Sequence, residues 1–388
     1  MRGGARATVL FVTGVPTIPD RTCYDVDPMT NRLFSNWRMR GRLLGGALCL
    51  GCLACCPAAV VRPEKSPANG WGDPGFDGAW YGEDDQPEYD GSPADGGPTE
   101  VGSAVVVGRL PTPRHEAAVF SDGKVVYAAG GLDSRKGFLT EILRFDPGSG
   151  KVTILPETLP NPTQAAGVGW TGKAAYLFGG RNGGGFLNQI VRYRPGTGEV
   201  TLMRATLPTA GYSLGVAWTG KVFYLFGGFT GADSDQILRY DPAADVLTVL
   251  PVSMPFGSQA PGVFWDGQGA WILGGASNGA SAHIQFFDPR TGQVTEVGSL
   301  PYGLWVPAGF YDGAAFYLAG GASNHSGYAS ILRFDPAVGQ ATAISTRLPF
   351  RLGGRIATWV AAAGCAYLLG GQVPPGGRFF DTIIRVVP

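Results

Sequence analysis

From residue 101 onward the chain is punctuated by six Gly-Gly pairs: Gly130-Gly131, Gly179-Gly180, Gly227-Gly228, Gly274-Gly275, Gly320-Gly321 and Gly370-Gly371. They recur at intervals of 49, 48, 47, 46 and 50 residues. Each pair closes an apolar run, as in VVYAAGG, VFYLFGG and CAYLLGG, and is followed by ILRFDP or a variant of it. In the first five units a segment such as KVTIL or EVTLM comes next, and then Leu-Pro or Met-Pro. Self-similarity at this period identifies a repeated supersecondary unit, one that must stack on copies of itself to bury its apolar faces.

Each unit reads as four short antiparallel strands. Turn pairs such as Asp122-Gly123, Thr171-Gly172, Thr219-Gly220, Asp266-Gly267 and Asp312-Gly313 join the first two as hairpins. Glycine ends the second strand where backbones crowd and φ turns positive. Composition agrees: 62 Gly and 30 Pro disfavour long helices, while 44 aromatic residues (9 Trp, 14 Tyr and 21 Phe) are too many for a disordered polymer. The expected fold is all-β, a six-bladed propeller, since residues 101–388 span 288 positions, or six times 48. The sixth unit stops at IIRVVP, its third strand, whereas SAVVVGRLP at residues 103–111 looks like the end of a unit without its beginning. The ring is therefore expected to close with Ala104–Gly108 as the outer strand of the last blade.

The apolar run into Gly-Gly, the aromatic of the third strand and the following turn resemble the kelch repeat, and the resemblance covers residues 101–388. It departs at the fourth strand, where Thr-Ile, Thr-Leu or Thr-Val stands in place of the usual Trp. The resemblance implies a propeller that, in most relatives, binds proteins. Similarity to copper-radical oxidases stops at the propeller, because Cys365 beside Tyr367 is the only cysteine beyond residue 56. Nitrile-specifier propellers need an iron-binding cluster that is not matched. Kelch mutarotases acting on sialic acid need a general acid or base near a carboxylate-binding Arg, for which Glu116 or His115 beside Arg114 is the only pair to nominate. Residues 1–100 hold nothing similar to the helical domains of ubiquitin-ligase adaptors.

In a four-stranded antiparallel unit the loops joining strands 2 to 3 and 4 to 1 share one face. They are the long and variable loops, so binding chemistry belongs there. Arg114, Arg135, Arg181, Arg355 and Arg378 make one half of that face cationic, while Tyr212, Gln259, Trp305, Asn324 and Tyr328 make the other aromatic and amide-rich. Guanidinium forks bind carboxylates and rings stack on sugar or side-chain faces, which points to a protein or acidic carbohydrate ligand. His115 belongs to the same face. With His283 and His325 it comes from blades 1, 4 and 5 at unlike radii, so no metal and no cofactor are expected. Arg144, Arg192, Arg239, Arg333 and Arg385 recur at one position of the repeat and read as structural.

The formal net charge of zero conceals three unlike segments: +5 over residues 1–62, −9 over residues 66–100 and +4 over residues 101–388. No basic footprint for nucleic acid emerges. Residues 39–61 carry a positive start and then LLGGALCLGCLACCPAAVV, which has the build of a secretory signal. Cys52, Cys55 and Cys56 each sit in an imperfect lipoprotein box, so a cleaved signal, an acylated cysteine and a retained anchor all stay open. Residues 1–38 are expected to be an over-long gene model or disordered, 62–100 an acidic linker, and 101–388 a monomeric propeller. The sequence thus describes an exported, envelope-tethered, non-catalytic recognition module, with an acidic-sugar mutarotase or epimerase as the alternative. Translation is expected to begin at Met39; intact mass and N-terminal sequencing of the precursor check this, and a peptide from residues 1–38 overturns it.

Overall fold

The computed structural model describes residues 102–388 apart from Arg355 and Pro375. The expected start at Met39, the signal or anchor, Cys52, Cys55, Cys56 and the acidic linker lie outside the described residues. What is described is a six-bladed β-propeller: six antiparallel four-stranded sheets, with a single helical turn at Ala361–Ala363. Blade 1 runs, from the axis outward, Ala118–Ser121, Val126–Ala129, Glu141–Asp146 and Lys151–Thr158. The same order recurs in the next four blades, whose innermost strands are Gly167–Trp170, Gly215–Trp218, Gly262–Trp265 and Ala308–Tyr311. Blade 6 is built from Ala357–Val360, Cys365–Leu369 and Thr382–Val387. Its outermost strand is Ser103–Arg109, paired antiparallel with Thr382–Val387 in a register that sets Ser103 opposite Val387 and Arg109 opposite Thr382.

The six innermost strands pack side by side around the axis, the last against the first. Between blades the core is largely aromatic. In blades 1 to 5 the ring in the third-strand motif inserts into the blade before it, as Tyr193 does against Phe120 and Tyr127, Tyr240 against Tyr176 and Phe178, and Phe287 against Tyr224 and Phe226. Phe145 of blade 1 packs in the same way on Tyr367 of blade 6, with ring centroids 5.3 Å apart. Edge-to-face pairs of this kind add to the gain from burial and favour one stacking geometry.

The two faces differ in construction. On one, the tight hairpins are capped internally. Asp122 Oδ1 accepts from the N–H groups of Lys124 and Val125, and Asp266 and Asp312 do the same for their own turns. Thr171 and Thr219 use their hydroxyls in the same role. Such turns satisfy the backbone locally and leave little to offer a ligand. The other face holds the loops between strands 2 and 3 and between blades. Third strands run away from that loop face, so the outer strand of blade 6, antiparallel to its third, begins at Ser103 on the hairpin face.

Every Gly-Gly pair makes the same contact. The second glycine donates its N–H to a carbonyl in the loop entering the next blade: Gly131 to Thr163, Gly180 to Gly211, Gly228 to Ser258, Gly275 to Leu304, Gly321 to Leu352 and Gly371 to Arg114, at 2.7 to 2.9 Å. The first glycine lies against that same oxygen. A Cβ on Gly227, which has φ +61°, would stand 2.0 Å from the Ser258 carbonyl oxygen. Gly227→Ala is expected to lower stability by about 4 kcal/mol or more, through left-handed strain and a clash with backbone that cannot yield. Gly220→Ala has φ +91° but nothing within 4 Å of the new Cβ, and it should cost about 1–2 kcal/mol. Urea denaturation of the two variants measures the difference.

Candidate functional site

Just before each innermost strand, two residues of the connecting loop reach the axial end of the loop face. The first bridges the strand-2 side of its own blade: His115 with Leu132, Gln164 with Arg181, Tyr212 with Phe229, Gln259 with Ala276, Trp305 with Ala322 and Gly353 with Gln372. The second has positive φ: Glu116, Ala165, Ser213, Ala260, Val306 and Gly354. Backbone bonds link these left-handed residues from blade to blade, Ala165 donating to Glu116, Ser213 to Ala165 and Ala260 to Ser213.

Blades 1 to 3 carry polar chemistry on this frame. The Gln164 amide, fully buried, donates to Glu116 Oε2 at 3.1 Å and accepts from Arg181 Nε at 3.0 Å. The Arg181 guanidinium lies over the Tyr212 ring, 5.2 Å from its centroid. Phe186, on the two-stranded hairpin that follows Arg181, meets the rings of Tyr212 and Phe229 at 5.1 and 5.9 Å. His115 Nε2 is 3.5 Å from Glu116 Oε2, and its ring packs near Phe379 of blade 6. Burial holds the His115 imidazole below its ordinary range; Glu116 pulls the other way and Arg181 adds to the lowering. In blade 3, burial raises the carboxyl of Asp233, while the Asn278 N–H and the Gln259 side chain partly offset it.

Of the residues singled out from sequence, His115, Arg181 and Tyr212 come together in this cluster. Gln259 stands beside it with Asp233. Arg114 is elsewhere: its side chain is 0% exposed, bonded to Glu141 Oε2 at 2.9 Å and to the Gly130 carbonyl at 3.2 Å, so it braces the blade 6 to blade 1 junction from inside. Burial lowers its basicity and Glu141 restores part of it. Arg135 and Arg378 are exposed on loops, Trp305 is half-buried on the frame, and Arg355 lies outside the described residues. Asn324 Oδ1 accepts from the Ala280 N–H, and Tyr328 packs on Tyr302 at 4.4 Å; both tie neighbouring blades together. His283 is the first residue of a third strand rather than a loop residue, stacked on Phe256 and 2.7 Å from Glu296. Four of the repeated arginines pair close to their own strand, with Asp146, Glu199, Asp241 and Asp335. Among the described residues no group of three or more His, Cys, Asp or Glu is placed to hold a metal ion.

Gln164, Asp233 and Phe186 were not legible as site residues. Gln164 occupies the repeat position of His115, Tyr212 and Gln259, so aligning the loops that enter the blades carries the signal. Comparison with known families and with curated proteins gives no match.

A histidine buried neutral links stability to acid. The unfolded chain takes up a proton as pH falls through about 6.5, while folded His115 with its lowered affinity does not. Stability is therefore full above about 6.5 and falls below it, by at most about 1.4 kcal/mol per pH unit for one proton. His115→Gln puts at blade 1 the residue that blades 2 and 4 already use, and should flatten the decline between about pH 6.5 and 5. Urea midpoints across that range measure it; an unchanged slope excludes His115 as its source.

Proposed function

We propose that the protein is an exported recognition module, related to kelch propellers, that binds an anionic protein or carbohydrate ligand through its loop face. The observation that carries the reading is the Glu116–Gln164–Arg181–Tyr212 chain. It gathers a guanidinium, an aromatic face and buried hydrogen-bonding groups at the axial end of the loop face. An Arg whose orientation is already set by its neighbours meets a carboxylate at a lower ordering cost. Arg135 and Arg378 extend the positive character outward.

A mutarotase or epimerase acting on an acidic sugar is the second reading, favoured by the His115–Glu116 contact, since proton transfer at a sugar carbon or ring oxygen needs a positioned acid and base. A thermal-shift screen of uronic acids, sialic acid and acidic peptides tests both. Saturable binding without anomer interconversion, followed by NMR, is the expected result. Arg181→Gln should weaken binding by about tenfold, the worth of one charge-assisted hydrogen bond. Turnover that is lost in Glu116→Ala would replace the first reading with the second.

A further inference from the structure

Five third strands carry an arginine at one repeat position, and in blades 1, 2, 3 and 5 a carboxylate of the same blade answers it. These are Asp146, Glu199, Asp241 and Asp335, at 2.8 to 3.9 Å. A threonine of the outer strand stands opposite each of the four arginines: Thr153, Thr201, Thr248 and Thr342. Blade 6 keeps the arginine, Arg385, and has lost what surrounds it. Val387 replaces the aspartate two residues on, Ser103 stands where blade 2 has Glu199, and Val105 stands where the others have threonine. The hairpin aspartate that accepts from the Tyr127 and Tyr317 hydroxyls in blades 1 and 5 is gone as well, because the turn before Tyr367 is Ala361–Ala363. Among the described residues no carboxylate pairs with Arg385, and its Nε is buried without an acceptor.

Keeping a half-buried cation after every partner has become apolar or small is costly unless an anion reaches it from elsewhere. The position is open to one: Val105, opposite Arg385 on the same face of the sheet, is 39% exposed. A source of carboxylates leads into this very sheet. Residues 66–100 carry nine acids and no Lys or Arg. The last of them, Glu100, precedes Ser103 by three residues, and Ser103 is paired with Val387, two residues from Arg385. Three residues reach up to about 10 Å. The adjoining hairpin of blade 1, tied to blade 6 by the Ala362 N–H donating to the Gly123 carbonyl at 3.0 Å, adds the exposed Lys124. The hairpin ends of blades 3 to 5 carry Asp241, Asp245, Asp266, Asp288, Asp312 and Asp335 instead, and repel an acidic segment.

We propose that the acidic segment ending at Glu100 docks on Arg385 and supplies, from outside the repeat, the carboxylate that blades 1, 2, 3 and 5 provide internally. The closing strand Ser103–Arg109 is then clasped at both ends, since Arg109 pairs with Asp381 at 2.6 Å at the loop face. An exposed pair of this kind is worth under about 1 kcal/mol, too little to hold a free partner. A carboxylate attached a few residues away loses little translational freedom on docking, so the same contact suffices.

Carbodiimide cross-linking of full-length Arg385→Lys tests this, because the variant keeps the charge and offers an amine that condenses with a carboxylate held beside it. Peptide mass spectrometry should find an amide from position 385 to an acid of residues 66–100 within one molecule. A bridge to a carboxylate of residues 101–388 overturns the proposal, as does the absence of any bridge. Mixing nitrogen-15-labelled and unlabelled chains separates the remaining case: a bridge between molecules overturns it in favour of a second copy. Independently, cleavage after Glu100 by a glutamate-specific protease should run about threefold faster in Arg385→Gln than in the parent, and 1 M salt should bring the parent to about the same rate. A thermal melt shows whether Arg385→Gln is folded; equal cleavage of the folded variant and the parent overturns the docking.

Discussion

One contact repeated six times holds the ring in shape: the N–H of the second glycine of each pair donating to a carbonyl in the loop of the next blade. Each bond is worth only about 1 kcal/mol net, but it demands a backbone approach that no side chain permits. A Cβ on the first glycine would come within 2.0 to 2.6 Å of that oxygen at every one of the six junctions. The sixth junction, from Gly371 to Arg114, joins the last blade to the first, so the same contact that spaces the blades also makes them a ring. The aromatic insertions between blades then fill the volume that this spacing defines.

A contact that fixes six equivalent positions leaves side chains there to vary. At the bridging position the residues are His115, Gln164, Tyr212, Gln259, Trp305 and Gly353, and the differences among them make the candidate site. Their backbones are placed by structure, so the candidate site is a departure from the repeat rather than a motif. The departure is concentrated in blades 1 to 3, where a buried histidine, a buried glutamate and an arginine share one hydrogen-bonded neighbourhood. Blades 4 to 6 use the same loops for bonds from blade to blade, such as Ala280 to Asn324 and Arg351 to Ser326. The loop face is thereby divided into a chemically loaded part and a braced part, on a scaffold whose other face is closed by internally capped hairpins.

Much of the fold was legible because its causes are local. Glycine at a left-handed turn, Asp-Gly hairpins and an aromatic two residues from a proline act over a few residues, and their period reveals the unit. The site was legible only in part. Arg114 and Arg181 look alike in sequence, each a cation in a loop on the same face. One is sealed under Glu141 and the Gly130 carbonyl, and the other lies over Tyr212. The partners that distinguish them lie 16 to 31 positions away, as counted from Arg114 to Gly130 and from Arg181 to Tyr212.

The sequence by itself determined the number of blades, the four-strand unit and which face carries the long loops. These follow from periodicity and from steric rules for glycine and proline, which act within a unit and need no knowledge of its neighbours. The tertiary structure alone decided which loop side chains meet and which are buried. Residues at the same repeat position in adjacent blades are nearly 50 positions apart in the chain, as Glu116 and Gln164 are at 48. Only the stacking of one blade on the next brings such a pair within hydrogen-bond distance.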